Sequence, residues 1–266
     1  MNLIEDLKLT INLVKQNRKI WLLGILSLLY LFSSLIQNTD SIILALLMLL
    51  LYFGSLVISI IGFGGLIMAA NRLYTVGNYE FKEIWSRSKG RSFHILGIYV
   101  RLFPIFLLSI VGFYFIYTNS VSPNWIYLES LIRTFFVGPI VFFGMCGIVI
   151  HDKNALPALK SSMAIYVKMF RSVIPIYLLY KLSNWLFIAF VYLLIKLTLI
   201  SPVVPEINIL DYSTLLNMLR LPIFMWTNNL IRILTWPFLS VIMTIIYTRY
   251  ISSQEHLDSL SLDNSG

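Results

Sequence analysis

Six long apolar runs, near residues 20–36, 41–70, 93–117, 131–150, 172–200 and 223–248, alternate with polar connections along this 266-residue chain. A helix rises 1.5 Å per residue, so ~20 apolar residues cross the ~30 Å of hydrocarbon in a bilayer. Each run approaches or exceeds that length. The pattern predicts an all-α, polytopic membrane helical bundle with six transmembrane helices. With 58% hydrophobic and 12% charged residues, a soluble domain of this length could not cover its own apolar surface.

The basic residues are sorted by connection. Fourteen of the twenty Lys and Arg fall on one side of the pattern: the N-terminus (Lys8, Lys15, Arg18, Lys19), the second connection (Arg72, Lys82, Arg87, Lys89, Arg91), the fourth (Lys153, Lys160, Lys168, Arg171) and Arg249 after the last run. The first, third and fifth connections together hold only Arg220. By the positive-inside rule both termini are expected in the cytoplasm. A net charge of +8 could suggest nucleic acid, but charge that follows membrane sidedness rather than one patch argues against it. Of the twelve acids, Asp40, Glu129, Glu206 and Asp211 lie in the outer loops, and none lies within a run.

Cys146 is the only cysteine, so no intrachain disulfide or cysteine metal cluster can form, and its place between Met145 and Gly147 reads as packing. No cofactor or metal is expected. The chain opens on an amphipathic segment rather than a short basic region and a cleavage site, so the first run is expected to act as its own insertion signal. Residues 1–252 read as a single membrane domain and 253–266, polar and acidic, as a disordered cytoplasmic tail. Within residues 1–18, Leu3, Ile4, Leu7, Ile11 and Val14 share a helix face, with Glu5, Asp6, Lys8 and Lys15 mostly opposite. That helix either lies in the headgroups or caps the bundle.

The second run, at roughly 45 Å as a helix, has to tilt, kink or project from the membrane. Ser55, Ser59, Gly62, Gly65 and Ala69 form a small-residue stripe on it, where a neighbouring helix can pack closely. Short amphipathic helices are expected in both large cytoplasmic connections. One covers 79–90, with Phe81, Ile84 and Trp85 on one side. The other covers 157–170, with Leu159, Met163, Tyr166, Val167 and Phe170 on one side. Glycines precede each connection, and a basic residue and a proline follow it (Arg101 and Pro104; Lys181 and Pro175). The parallel suggests an internal repeat of two hairpins. The third connection (118–126) is turn-rich; the fifth (201–222) is punctuated by Pro202, Pro205 and Pro222.

Ionisable residues inside spans are functional candidates, because each costs ~2.5–3.5 kcal/mol at the bilayer centre. Five qualify, all basic: Arg101, Arg133, Lys181, Lys196 and Arg232. Arg133 and Lys196 lie near the outer ends, where they can snorkel. Arg101 and Lys181, some ten positions in from the cytoplasmic connections, are the leading candidates. Tyr177 and Asn184 flank Lys181 on one face, and Asn228, Asn229 and Thr235 flank Arg232. These cations call for a lipid phosphate, an anionic solute or water in a cavity; the alternative is that they reach headgroups or helix carbonyls freed by proline. Pro104, Pro139, Pro175 and Pro237 each interrupt one of the last four runs, as in discontinuous transporter helices or as ordinary kinks. His94, His151 and His256 lack metal-ligand spacing. His151-Asp152 has no nucleophile in a recognisable context, though Ser161 and Ser162 are near in sequence, and there is no phosphate-binding glycine loop.

The stretches Gly64-Gly65-Leu66-Ile67, Gly77-Asn78-Tyr79-Glu80-Phe81 with Ile84-Trp85, and Ile148-Val149-Ile150-His151-Asp152 followed by Ala155-Leu156-Pro157-Ala158-Leu159-Lys160-Ser161-Ser162 carry a resemblance. They resemble an uncharacterised bacterial six-span membrane family, similar to the membrane domain fused to some glycerophosphodiester phosphodiesterases. The catalytic domain is missing here, so the phosphodiesterase activity does not follow. The resemblance implies a six-helix architecture in a bacterial inner membrane and a role near lipids. The expected function is non-enzymatic: handling or sensing lipid, or assisting transport of an anionic or amphipathic solute. The alternatives are a permease-like subunit whose helices at 79–90 and 157–170 dock on an ATPase, and an enzyme acting on lipid headgroups. The expected partners are the bilayer, anionic phospholipid and a cytoplasmic protein at those helices.

Overall fold

The computed structural model describes residues 3–29, 42–118, 132–198 and 222–263. The outer end of the first run, the first connection, and all but an edge residue of the third and fifth connections, with Arg220, lie outside them. The described residues are helical, with no strand among them: α1 Leu3–Gln16, α2 Arg18–Ser27, α3 Ile42–Thr75, α4 Phe81–Thr118, a π turn Arg133–Val137 that leads into α5 Gly138–His151, α6 Ala155–Thr198 and α7 Pro222–Asp263. Four segments of these helices are long and apolar enough to cross a membrane: Leu49–Thr75, Thr134–His151, Ala155–Val191 and Thr227–Glu255.

The amphipathic segments expected at 79–90 and 157–170 are not separate helices. Each is the opening of a longer one, α4 with 38 residues and α6 with 44. No proline falls between them and the apolar runs that follow, and Pro104 and Pro175 are carried inside the helices. Lys181 therefore stands 26 positions beyond the start of α6, further from the connection than the sequence suggests. Likewise α7 is helical through Asp263, over most of the 253–266 segment read from the sequence as a disordered tail. Leucine and the acids of that stretch are compatible with helix once α7 has been nucleated by its packed apolar part.

The small-residue stripe on α3 packs as its spacing requires. Ser59, Gly62, Gly65 and Ala69 are buried. A Cβ on Gly62 would sit 2.8 Å from the Ser27 amide nitrogen and 2.9 Å from the Leu26 carbonyl carbon, so only glycine lets the α2 backbone come this close. A Cβ on Gly65 would meet Leu23 at 3.0 Å. Ser55, at the end of the stripe, donates its hydroxyl to the Tyr52 carbonyl of its own helix at 2.8 Å. The most fully packed layer comprises Leu66–Ala70 of α3, Phe142–Val149 of α5 and Leu239–Tyr247 of α7.

One end of the bundle gathers charge. Arg87 and Arg91, one turn apart on α4, both pair with Asp152, the first at 3.4 Å. Asp152 ends α5 in the left-handed conformation (φ 55°), which aspartate tolerates better than most residues. Arg72 pairs with Glu83 at 3.0 Å. Arg249 on α7 meets Asp6 on α1 at 2.7 Å and donates to the Tyr74 hydroxyl at 3.3 Å. The first and last helices therefore meet at this basic end. Asp6, expected to face away from the apolar side of α1, is 1% exposed, buried with Thr10 and Val14 against the bundle. Ile4 instead stands 64% exposed and Ile11 is also exposed. The ion pair redirects the helix: it turns the Asp6 edge inward and leaves an apolar edge at the bundle's margin.

Candidate functional site

A cavity of about 770 Å³ lies among α2, α3, α4, α6, α7 and the π turn with the start of α5. Along the described helices its lining lies away from the charged end. Arg232 is 17 positions before Arg249, and Ser59 is 13 before Arg72. Phe63, Phe142 and Trp236 form its aromatic floor. Phe63 meets Phe142 edge-on at 5.5 Å between ring centroids and Trp236 at 5.3 Å. Leu56, Ile60, Val141 and Ile188 make an apolar wall.

The polar wall comes from two helices. Tyr177, Lys181 and Asn184 are spaced i, i+4, i+7 on α6 and share one face; Asn228 and Arg232, four apart, do the same on α7. The helices are tied at this level. The Thr235 hydroxyl lies 2.8 Å from the Ile231 carbonyl of its own helix and 3.3 Å from Asn184 Oδ1 across the interface. The lining described here contains two cations and no carboxylate. Arg232 has no hydrogen-bond or ion-pair partner among the described residues.

The π turn has a readable cause. Pro139 lacks the N–H that a regular helix would return to the carbonyl of Phe135 four residues back. The Tyr166 hydroxyl of α6 donates to that carbonyl instead. The widened turn brings Thr134 and Val137 to the cavity.

Five of the six residues expected to bind an anion or lipid thus converge: Tyr177, Lys181, Asn184, Asn228 and Arg232. The sixth does not. Arg101 is exposed, and its Nη1 donates to the Gly97 carbonyl of its own helix at 3.1 Å. Arg101 is not in this lining, which brings Lys181 together with Arg232. Sequence reasoning missed the aromatic floor and Tyr52, Tyr99, Tyr180 and Ser27 on the walls. Aromatic and apolar residues in a span carry no mark that separates a cavity wall from a lipid-facing surface. The side chains of Arg133 and Lys196 are outside the described ones.

His151 and Asp152 do not form a catalytic pair with a nucleophile. Asp152 is held by two arginines, and the His151 ring lies 5.7 Å from that of Tyr247. Ser161 and Ser162 donate to the carbonyls of Ala158 and Leu159 on their own helix. Compared with protein families, curated proteins and solved structures, the chain finds no match.

Proposed function

We propose that this protein is a non-enzymatic integral membrane protein that binds an anionic amphiphile, a lipid or a lipid-like solute, in the cavity between α6 and α7, and so handles, senses or helps to move it. The observation that carries the reading is the convergence of Lys181 and Arg232, with the amides of Asn184 and Asn228, on an otherwise apolar chamber. Arg232, without a partner among the described residues, is costly inside a bilayer unless it meets an anion, carbonyl oxygens or water. An occupant with a phosphate or carboxylate at one end and a hydrocarbon chain at the other would satisfy both walls. The volume lies within the ~300–1,000 Å³ usual for small-molecule sites.

In the fuller arrangement we infer, α2 and α4 begin two further spans. The six spans are then built as two repeated hairpins, with both termini on the cytoplasmic face of a bacterial plasma membrane. The basic end supports that orientation. α3 packs more extensively on α4, and α5 on α6, than either does on any one helix of the other pair, which supports the hairpins. The resemblance to the six-span bacterial family points the same way.

Native mass spectrometry of the detergent-purified protein tests the function. Wild-type protein should carry an anionic lipid that a Lys181→Gln/Arg232→Gln variant loses. Equal lipid retention by a variant that remains monodisperse would overturn the reading.

A further inference from the structure

The 44 residues of α6 include five basic ones, Lys160, Lys168, Arg171, Lys181 and Lys196, and no acid. At 1.5 Å per residue the helix is about 66 Å long, beyond the ~40–45 Å of a whole bilayer with its headgroups, so part of it lies outside the hydrocarbon. Its first turns follow Asp152 at the basic end of the bundle. Between the turns that come next and the start of α5 a second cavity, of about 600 Å³, forms a groove.

The floor of the groove is apolar: Phe136 and Ile140 from the π turn and α5, and Met163, Val167 and Phe170 from α6. Val167 is 73% exposed, and Met163 and Phe170 are exposed beside it. The walls are held in place. Tyr166 is anchored through its hydroxyl to Phe135, and its ring meets Phe170 edge-on at 5.6 Å and Phe136 at 6.1 Å. Lys168 and Arg171, three residues apart, form the rim. The Lys168 ammonium lies 5.9 Å from the centre of the Tyr250 ring, a contact that orients it and leaves its charge in place.

We propose that this groove is a binding site for an anionic diacyl phospholipid of the leaflet at the basic end, separate from the cavity at Lys181 and Arg232. An acyl chain lies along Phe136, Met163, Val167 and Phe170, and the phosphate accepts from Lys168 and Arg171. Charge complementarity selects this occupant. The groove joins an apolar floor to a purely cationic rim, and a phospholipid meets both with one molecule. A second copy of the chain docked symmetrically would set these same cations against each other.

The test uses purified full-length protein in detergent, incubated with phosphatidylglycerol or with phosphatidylcholine and read by native mass spectrometry. Wild-type protein should bind phosphatidylglycerol in preference to phosphatidylcholine. Lys168→Gln/Arg171→Gln should remove that preference, lowering phosphatidylglycerol affinity roughly 30-fold at about 1 kcal/mol per cation. Val167→Trp, which fills the groove from an exposed position and keeps both charges, should lower binding of the same lipid. Lys181→Gln/Arg232→Gln should leave this adduct in place, so failure here and failure of the cavity reading are told apart. Undiminished phosphatidylglycerol binding in both groove variants would overturn the proposal. So would a wild-type dimer that the groove variants dissociate without any change in lipid.

Discussion

At the scale of residues, the candidate site depends on azimuth as much as depth. An arginine or lysine inside an apolar run is conspicuous, and neighbours at i+3, i+4 and i+7 share its face. Lys181 with Tyr177 and Asn184, and Arg232 with Asn228, were legible for that reason. Arg101 was equally conspicuous, yet the sequence carries no mark of which neighbour its face meets; the structure leaves it exposed on α4. The three cations should therefore separate by experiment. Arg232→Gln should weaken anionic lipid retention about tenfold or more, the scale of one charge-assisted hydrogen bond. Arg101→Gln should leave retention unchanged. Because Arg232 has no partner among the described residues, its neutral variant should unfold at the wild-type temperature or above. A strong fall in thermal stability would assign it a structural role instead.

At the scale of elements, close packing and one ion pair account for most of what holds the bundle. Helices in lipid gain little from apolar burial and depend on close packing. The glycine stripe on α3 was legible from its spacing, and Gly62 supplies the sharpest case. Gly62→Val should lower stability by about 1–3 kcal/mol, because its branched side chain meets the α2 backbone rather than a side chain that could turn aside. Gly54→Val, with nothing within 4 Å of a Cβ there, is the control and should cost far less in a thermal-shift measurement.

The docking of α1 was only half legible, since hydrophobic periodicity identifies an apolar face and is blind to an ion pair formed 243 positions away. Arg249→Gln strands a buried carboxylate. It should destabilise the α1 contact by up to about 3 kcal/mol, less than a fully buried pair because Arg249 is partly exposed. Limited proteolysis near Asn17, the single residue between α1 and α2, should accelerate in that variant. An unchanged digestion pattern would show that α1 is held by its apolar contacts alone. The continuity of α4 and α6 escaped sequence reasoning because amphipathic and apolar segments join there without a breaking residue, and a change of face pattern was read as a change of element.

At the scale of the whole molecule, the two ends of the bundle differ in kind. The basic end is tightly packed and laced with ion pairs, and α1 and α7 meet there. On the other side of the Phe63–Phe142–Trp236 floor the helices part around a chamber with cations on one wall. Apolar runs and charge sorting made the membrane character and the basic end legible. The chamber was not legible, because it arises from the tilt of the helices and the π turn before Pro139. On the proposed function, such a chamber should discriminate by headgroup charge more than by chain.

The most direct measurement is therefore the affinity of the purified protein for a single-chain alkyl phosphate against the uncharged alkyl alcohol of the same length. The account predicts that the phosphate binds at least about tenfold more tightly, and that adding Lys181→Gln/Arg232→Gln to the groove variant Lys168→Gln/Arg171→Gln abolishes the difference while the alcohol's affinity stays as it was. Equal affinity for the two compounds in the wild-type protein would contradict it.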